Sequence, residues 1–376
     1  MSVGRGLDKT ILSGITLQFR PAELVALMGP SGAGKTTLLS CILDNAAGKM
    51  SGEVLINGQA VPQHLFKSVS KLIPQEDVLM HALTVRETLG YQSELVLPGH
   101  LERAEREARV AHVVKALNLG GCLDVKIGSV ESRGISGGQR KRVSIAMDLL
   151  SNPAVLFVDE PTSGLDSKTA EDVVQALRDL ARGRGDGVER TIISTIHQPS
   201  WRIFALFDQV VLLTRGRLAF HGAHAELERF FDRLGLASPA KENPADHYMR
   251  MMQDDAEADR ICDEFARLQR AAGAEHDDGD GARLDTAAIM RSYANRQQRL
   301  SEMPRYPTSL RQQFATLFRR STYEAIKDPA KVCRNLALKL IVGLLVGFVW
   351  WRAADPPILQ HVFPIEGAMF SIVLNR

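Results

Sequence analysis

Four residues near the start of the chain, Gly29, Gly34, Lys35 and Thr36, stand at the spacing G-x-x-x-x-G-K-[ST], which is typical of a loop that binds polyphosphates. They follow the apolar run 24–28 and precede a predicted helix, and this strand–loop–helix context is the one that the motif requires. Glycine lets backbone N–H groups wrap the phosphates, and the N-terminus of the helix adds positive charge. The motif therefore predicts a nucleoside triphosphate site of the kind that kinases, GTPases and transport ATPases share.

Two side chains of this loop have predicted roles of their own. Lys35 would reach the β- and γ-phosphates, and the hydroxyl of Thr36 would bind Mg²⁺. The alternative is a glycine-rich turn that matches by chance, and the strand–loop–helix context argues against it. The whole predicted phosphate-binding segment is Gly29, Pro30, Ser31, Gly32, Ala33, Gly34, Lys35, Thr36 and Thr37.

Carboxylates and a histidine follow two further predicted buried strands, of which 154–158 is continuously apolar and 191–196 is not. Asp159 and Glu160 come directly after 154–158, and His197 comes directly after 191–196. Continuous apolar runs of this length are typical of strands buried in a parallel sheet, and α/β folds bind ligands at the carboxyl ends of such strands. One carboxylate would hold the metal ion and the next would act on a water molecule. The histidine would contact the γ-phosphate.

A third candidate feature is the start of a helix at Gly137. Ser136 is a suitable N-cap, and Arg140, Lys141 and Arg142 place three cations in the first turns. Positive charge at this end of a helix opposes the helix dipole. Either an anion lies nearby or this is an ordinary exposed basic turn, and these residues taken alone favour the exposed turn.

The elements that must position these residues can be read from the hydrophobic pattern. Alternation over 11–19 predicts a strand and 52–56 predicts another, which together indicate a short antiparallel sheet beside the phosphate-binding loop. Thr84 and Glu87 form a capping box that begins a helix, and 101–119 has one apolar face. These helices predict a helical subdomain inserted into the α/β core. Further strands are predicted over 70–73, 191–196, 209–214 and 217–220, and a helix over 168–181.

Composition excludes several classes of protein. Across 376 residues the formal charge is only +2, so no strong field would attract nucleic acid. The four cysteines are far apart and include no C-x-x-C pair, which predicts reduced thiols in a cytosolic setting and neither a disulfide framework nor a zinc site. The first nine residues contain no apolar core, so no signal peptide is predicted.

The C-terminal third predicts contact with a membrane. An apolar stripe between 310 and 318 lies beside Arg311, Arg319 and Arg320, as in a helix lying in the cytoplasmic interface. The stretch 332–352 is long enough to span a bilayer if Arg334 and Lys339 extend to the cytoplasmic side, and a buried hairpin helix is the alternative. The predicted domains are 1–252 for nucleotide binding, 253–305 as an acidic, partly helical linker, 306–331 as an amphipathic connecting helix, 332–352 as the first transmembrane helix, and 353–376 as a loop and the start of a second membrane segment.

In combination, the ordered motifs resemble the ATPase domain of ABC transporters and, within that superfamily, the G (White/Scarlet) subfamily. The motifs lie at 29–39, 133–142, 159–167, 195–200 and 243–246, and the ATPase domain precedes the membrane segment, which is the reversed order of this subfamily. The resemblance implies an α/β fold: a P-loop ABC ATPase domain with a parallel-sheet core, an antiparallel β subdomain and an α-helical subdomain. A linker and an α-helical membrane segment would follow. The chain would then be a half-transporter that stops after its first transmembrane segment.

The resemblance also implies roles for single residues toward ATP and Mg²⁺. Glu160 would polarise the attacking water, and His197 would contact the γ-phosphate and hold the site closed. Gln75 is identified as the glutamine of the Q-loop, which touches Mg²⁺ or water and faces the membrane part. The implied Mg²⁺ ligands are Thr36, Gln75 and Asp159.

Other implied roles involve a second ATPase domain. The signature motif, which comprises Ser136, Gly137, Gly138 and Gln139, would cap the nucleotide held by the partner, so that two domains enclose two ATP molecules. Asp166 would lie on the D-loop that couples the two sites. No Tyr or Trp precedes Tyr91, so the sequence leaves open how adenine is held.

The function implied is that of a half-transporter that pairs with itself or with another half-transporter. ATP hydrolysis would drive export of a small hydrophobic or amphipathic substrate through a lipid membrane, with the ATPase domain in the cytosol. One alternative is a truncated ABC ATPase that cannot transport. Another is a non-transport ABC-type ATPase, such as a DNA-repair or translation factor. The membrane segment and the lack of a nucleic-acid-binding patch argue against the latter.

Overall fold

The computed structural model describes residues 2–5, 9–43, 49–60, 63–128, 133–239, 242–275 and 307–349. Its strands, in chain order, are β1 (Ser2–Arg5), β2 (Lys9–Leu12), β3 (Leu24–Met28), β4 (Lys49–Ser51), β5 (Leu55–Ile56), β6 (Gln59–Ala60), β7 (Ser70–Ile73), β8 (Val155–Val158), β9 (Thr191–Thr195), β10 (Gln209–Thr214) and β11 (Arg217–Ala223). The α-helices are α1 (Lys35–Ile42), α2 (Gln63–Val69), α3 (Val85–Val96), α4 (Arg103–Ala116), α5 (Gly137–Leu149), α6 (Ser167–Ala181), α7 (Trp201–Phe204), α8 (His224–Arg233), α9 (Pro244–Met251), α10 (Asp255–Glu275), α11 (Leu310–Lys327) and α12 (Pro329–Val349).

A six-stranded sheet with the order β11-β10-β3-β9-β8-β7 forms the core. The five strands from β10 to β7 are parallel, and β11 pairs with β10 in an antiparallel hairpin. The central strand β3 is buried along its whole length, and β9 and β10 are buried except at their first residues. The prediction that the continuous apolar runs are buried parallel strands is therefore confirmed.

The antiparallel β subdomain is also present, although its strands are shorter than predicted. A three-stranded sheet has the order β2-β1-β4, and β5 pairs with β6. The predicted strand over 11–19 is wrong beyond Leu12, because Gly14 has a φ of 62° and the Ser13 N–H donates to the Gly216 carbonyl instead of to a neighbouring strand. Leu12 and Ile15 are nevertheless buried, so the alternation reported burial rather than an extended strand.

The predicted helical subdomain consists of α3, α4 and α5, which pack against one another. Thr84 and Glu87 close the capping box at the start of α3, as predicted. The apolar face of α4 includes the buried residues Val113 and Val114. This subdomain interrupts the sheet between β7 and β8, so α5 leads back into the strand that precedes the two carboxylates.

Helix α10 forms the first part of the segment predicted as a linker, 253–305. The helix packs on β11, and its residues Ile261, Cys262 and Phe265 belong to the hydrophobic core. The Phe265 ring lies 5.5 Å from that of Phe220 and 5.8 Å from that of Phe230. The predicted boundary at 252 therefore does not separate this helix from the core of the ATPase domain. The rest of the predicted linker lies outside the described residues.

The chain divides into two compact units, Met1–Gln313 and Phe314–Arg376. The described part of the second unit consists of most of α11 and all of α12, with a break at Asp328 where Asp-Pro predicted one. The side chains of Phe314, Phe318 and Phe348 are exposed. None of the helices in the described part of the chain is long and apolar enough to cross a membrane. The span predicted over 332–352 runs past Val349 into residues outside the described part, as does the whole of 353–376, and both stay predictions.

Candidate active site

Four neighbouring parallel strands deliver the predicted site residues to one edge of the sheet. The phosphate-binding loop follows β3, and His197 follows the adjacent strand β9. Asp159 and Glu160 follow β8, and Gln75 follows β7. Because all four strands run in the same direction, their carboxyl ends meet at this edge, which is where α/β folds bind ligands.

The phosphate-binding loop needs its glycines for two different reasons. Gly32 and Gly34 have φ angles of 78° and 101°, a region that favours glycine. At Gly29 a Cβ atom would lie 2.1 Å from the carbonyl oxygen of Leu213, so no larger residue fits against β10. The loop is also tied to the hairpin beyond β10, because the Gly216 N–H donates to the Ala33 carbonyl at 3.0 Å.

Lys35 closes the loop on itself. Its Nζ donates to the carbonyl oxygens of Gly29 at 2.7 Å and Pro30 at 3.2 Å. Burial lowers the pKa of Lys35, and the negative charges of Glu160 and Asp159 act in the opposite direction. The charges of both carboxylates therefore act on the lysine of the loop, as expected for strand ends that meet at one edge of the sheet.

A hydroxyl that the sequence analysis overlooked joins the two carboxylate residues. Thr195, fully buried at the end of β9, donates through Oγ1 to Asp159 Oδ1 at 2.5 Å. The same oxygen accepts from the Glu160 backbone N–H at 2.8 Å. Glu160 has a φ of 43°, which is uncommon for a residue other than glycine and is typical of functional sites. In the sequence Thr195 is one of three polar residues in the strand T-I-I-S-T and the first residue of the motif at 195–200, and neither feature identifies its partners.

Gln75 and Glu160 contact each other directly. Gln75 Nε2 donates to Glu160 Oε2 at 2.9 Å and to the Ser163 hydroxyl oxygen at 3.3 Å. Ser163 is a second residue that the sequence analysis did not assign. The structure therefore brings the Q-loop glutamine to the carboxylate that is expected to act on water.

The signature motif makes its bonds within its own helix. Ser136 Oγ accepts from the Gln139 N–H, and Gln139 Oε1 accepts from the Ser136 N–H, so the predicted N-cap is confirmed as part of a capping box. At Gly138 a Cβ atom would lie 2.2 Å from Thr169 Cγ2, because the start of α5 packs against the start of α6. Asp166 caps α6 by accepting from the Lys168 and Thr169 N–H groups. Hydrogen bonding to the Thr169 side chain first, and to the Thr169 N–H next, lowers the pKa of Asp166.

The three cations that follow the signature do not form an exposed turn, and the anion that lies nearby is the Asp77 carboxylate. Arg140 donates to the carbonyls of Ile127 and Gly128, and Arg142 donates to those of Gly138 and Leu117. The side chain of Lys141 is only 4% exposed and pairs with Asp77. Carbonyl oxygens of the same chain therefore accept hydrogen bonds from these cations, and one carboxylate forms an ion pair with Lys141.

His197 is exposed at the end of β9. The segment after it is held by Asn243, whose Nδ2 donates to the Pro199 carbonyl at 2.8 Å and to Asp246 at 3.1 Å. The motif at 243–246 therefore supports the chain next to His197. Among the predicted site residues, the structure brings Lys35, Asp159, Glu160 and Gln75 together, whereas the signature lies on a separate helix and bonds none of them.

Comparison with known proteins agrees with this arrangement. A family model described as "ABC transporter" matches residues 12–163, and one described as "ABC-2 type transporter" matches residues 197–261. The chain is 42% identical over 254 residues to ABC transporter G family member 13 of Arabidopsis thaliana, an alignment that covers 67% of this chain and 36% of the relative. The chain belongs to the ABC transporter family.

Two further comparisons, one with a relative and one with a solved structure, extend this result. It is 34% identical over 394 residues to the broad substrate specificity ATP-binding cassette transporter ABCG2 of Mus musculus, which covers 100% of this chain and 58% of that protein. Both relatives are transporters of the G family, as the motifs predicted, and the chain spans about a third to three fifths of their length. The crystal structure of a nucleotide-free ATP-binding cassette from an ABC transporter superposes with a TM-score of 0.50 at 20% identity, covering 61% of this chain and 91% of that one. This match shows the fold of the cassette.

Proposed function

We propose that this chain is the ATP-binding and ATP-hydrolysing part of an ABC half-transporter that dimerises to export a hydrophobic or amphipathic substrate. The observation that carries the proposal is the meeting of Lys35, Asp159, Glu160 and Gln75 at one sheet edge, while the signature motif stands apart at the start of α5. A site completed within one chain would need the signature motif to contact the residues at the sheet edge. In the described residues the side-chain bonds of the signature stay within α5, which supports a site shared between two chains.

The residues at the sheet edge fit a magnesium-bound nucleotide. The Thr36 hydroxyl, the Asp159 carboxylate and the side-chain amide oxygen of Gln75 supply the oxygen ligands that Mg²⁺ prefers. Gly29, Gly32 and Gly34 carry no side chain, so none obstructs the backbone N–H groups at these positions of the loop. Lys35 would exchange its two carbonyl partners for phosphate oxygens. Bound Mg²⁺ would neutralise charge on the phosphates.

The same geometry suits hydrolysis by positioning and charge stabilisation. Glu160 would accept a hydrogen bond from the attacking water and orient it toward the γ-phosphate. Gln75, which bonds Glu160 at 2.9 Å, would hold that carboxylate until the site fills. His197, exposed at the end of the neighbouring strand β9, would donate to the γ-phosphate and hold the site closed.

The partner half-transporter would complete each site with its signature. The capping box satisfies the N–H of Ser136 and that of Gln139, whereas the N–H groups of Gly137 and Gly138 are among those that an α-helix leaves without an internal partner. Such a helix end binds an anion. We propose that it caps the nucleotide on the partner chain, and the partner is either a second copy or another half-transporter.

The C-terminal helices support the membrane half of the proposal. Helix α11 exposes Leu310, Phe314 and Phe318, and α12 exposes Leu340, Leu344 and Phe348. Exposed apolar side chains in such number favour contact with lipid. The ATPase domain would lie in the cytosol, where the basic residues before α12 also favour it. The substrate class follows from the relatives of the G family, and its contacts would lie in the membrane part.

Complementation between two inactive variants tests the shared site. Lys35→Ala removes the phosphate-binding lysine, whereas Ser136→Asp keeps a residue that can cap a helix but brings a negative charge to the phosphate. In a mixed dimer one site carries both lesions and the other carries neither. Each variant alone should be inactive, and an equal mixture should recover about a quarter of the wild-type hydrolysis rate if the chains pair at random.

Two results would contradict the proposal. One is full activity of Ser136→Asp alone, and the other is no recovery in a mixture that is shown to contain mixed dimers. Transport is then measured in lipid vesicles loaded with an amphipathic fluorescent dye, with Lys35→Ala as the control. Wild-type chains that hydrolyse ATP without moving any such dye would support a transport-incompetent ATPase instead.

A further inference from the structure

Lys141 is the one charged residue of the signature helix α5 that is buried in the structure's described part. Its side chain is 4% exposed and points to the segment that follows β7. A buried ammonium group is costly unless charged and polar partners surround it. The partners of Lys141 therefore indicate the role of this residue.

Three oxygens of one short segment surround this ammonium. Nζ lies 2.8 Å from Asp77 Oδ1, and it donates to the carbonyls of Gln75 at 2.8 Å and Pro74 at 3.3 Å. Two of its three N–H bonds are directed to the carbonyls, whereas the Asp77 carboxylate pairs with the ammonium by charge, because Oδ1 accepts no hydrogen bond within the described residues. All three oxygens belong to residues 74–77, which include the Q-loop glutamine.

This contact joins the two parts of the ATPase site that otherwise lie apart in the chain. On one side, Gln75 bonds Glu160 and Ser163 at the carboxyl end of β8. On the other side, Lys141 lies two residues beyond the signature residues 136–139 on the same helix. If Lys141 connects them rigidly, a movement of the Gln75 segment would also move the start of α5, and a movement of α5 would move the Gln75 segment.

We propose that Lys141 is a positioning residue of the ATPase site, which fixes the Gln75 segment to the signature helix so that both arrive at their nucleotides together. The inference rests on the proposed ATPase function and adds a residue to it. Lys141 touches neither the phosphate-binding loop nor the two carboxylates, and it acts through Gln75. An arginine would not replace it, because a planar guanidinium does not match three oxygens arranged around one nitrogen.

The test separates positioning from mere stability. Lys141→Met removes the ammonium and leaves the Asp77 carboxylate without its partner, so this variant is expected to melt at a lower temperature. The double variant Lys141→Met/Asp77→Asn removes the unpaired charge as well and is expected to recover most of that melting temperature. The carbonyls of Pro74 and Gln75 stay without their donor in both variants. Lys115→Met, which changes an exposed lysine on α4, is the matched control.

Two measurements on the whole chain, purified in detergent, follow. In the double variant kcat is expected to fall about 10- to 100-fold, because misplacing a group by about 1 Å costs this much. Binding of ATP without Mg²⁺ should stay unchanged, because the loop 29–37 is untouched. Hydrogen exchange at residues 74–79 without nucleotide should become faster in both Lys141 variants and stay at the wild-type rate in Lys115→Met.

The outcomes separate this inference from the proposed function. A double variant with wild-type kcat and wild-type exchange at 74–79 would overturn the positioning role, whatever its melting temperature. A wild-type chain that binds but never hydrolyses ATP would overturn the proposed function. In that case faster exchange at 74–79 in both Lys141 variants would still support the connection between α5 and the Gln75 segment, and unchanged exchange would overturn it.

Discussion

Replacing Thr195 with valine removes a single hydroxyl that serves both carboxylate residues of the site. Thr195 Oγ1 lies 2.5 Å from Asp159 Oδ1 and 2.8 Å from the Glu160 backbone nitrogen, and the side chain is fully buried. Valine has nearly the same shape, so packing in the sheet is retained. The Glu160 N–H, in contrast, loses its acceptor, and Asp159 loses a donor that orients its carboxylate.

The structure allows the size of both effects to be worked out. A buried N–H without an acceptor costs about 1–3 kcal/mol of folding free energy. At about 2–4 °C per kcal/mol for a domain of this size, the melting temperature should fall by roughly 2–12 °C. Loss of a residue that orients a metal ligand typically weakens metal affinity about 10- to 100-fold. If Asp159 holds Mg²⁺, the half-saturating Mg²⁺ concentration for hydrolysis should therefore rise by that factor.

The assay compares nucleotide binding with and without Mg²⁺. A fluorescent ATP analogue should bind Thr195→Val normally in EDTA, because the loop 29–37 is intact, but gain little affinity when Mg²⁺ is added. Thr195→Ser restores the hydroxyl and should restore both the Mg²⁺ response and the melting temperature. Ser194→Ala is the matched control, since this buried neighbour donates to the Thr195 carbonyl rather than to a carboxylate.

Two results would refute the reasoning. A Mg²⁺ dependence of Thr195→Val equal to that of the wild type would show that Asp159 does not need this hydroxyl. An equal loss in Ser194→Ala would show that any polar deletion in β9 has the same effect. The binding measurement does not require turnover, so it applies to chains that are monomeric as well as to dimers.

Three further predictions concern stability. Arg190→Met should cost about 3–5 kcal/mol in urea unfolding, because the side chains of Arg190 and Asp186 form an ion pair with no exposed surface. Burial raises the pKa of Asp148 to about 6, so its contribution to stability is present at acid pH and is lost as the pH rises through about 6. Asp148→Asn should therefore stabilise the fold by about 1–3 kcal/mol near pH 7.5 and have little effect near pH 3, below the ordinary pKa of the group. Gly138→Ala should lower the melting temperature, because its Cβ would lie 2.2 Å from Thr169 Cγ2, and the added Thr169→Ser should restore it by removing that methyl group.

Each of these predictions has its own check. The double variant Arg190→Met/Asp186→Leu should regain most of the lost stability, and no recovery would mean that the unpaired carboxylate is not the cause. An equal rise for Asp148→Asn at both pH values would contradict the raised pKa. If Thr169→Ser fails to restore the melting temperature of Gly138→Ala, the close approach to Thr169 is not what makes glycine necessary.

The sequence predicted the site residues best where short motifs follow apolar strands. The glycine loop, the Asp159–Glu160 pair and His197 each come at the end of a run that could only be a buried strand, and parallel strands place such ends side by side. The same local logic predicted the capping box at Thr84 and the N-cap at Ser136, because each cap is complete within four residues. These predictions needed no knowledge of distant parts of the chain.

The predictions that failed depend on partners far away in sequence. The strand over 11–19 ends at Leu12 because Ser13 bonds Gly216, a residue that no local pattern associates with it. The cations at 140–142 taken alone favoured a solvent-exposed turn. They instead donate to carbonyls of residues 74, 75, 117, 127, 128 and 138, and Lys141 pairs with the Asp77 carboxylate. Thr195 was overlooked because its role requires β8 beside β9.

The amino-acid sequence by itself determined which nucleotide chemistry this chain carries and which family it belongs to, because both depend on residue types at fixed short spacings. Only the tertiary structure decided which side chains support that chemistry from a distance. Thr195 under the carboxylates, and Lys141 against the Gln75 segment, acquire their roles from the order of the strands and the packing of α5. A hydrogen bond acts over about 3 Å of space whatever the separation in sequence, so the folded chain alone could reveal these partners.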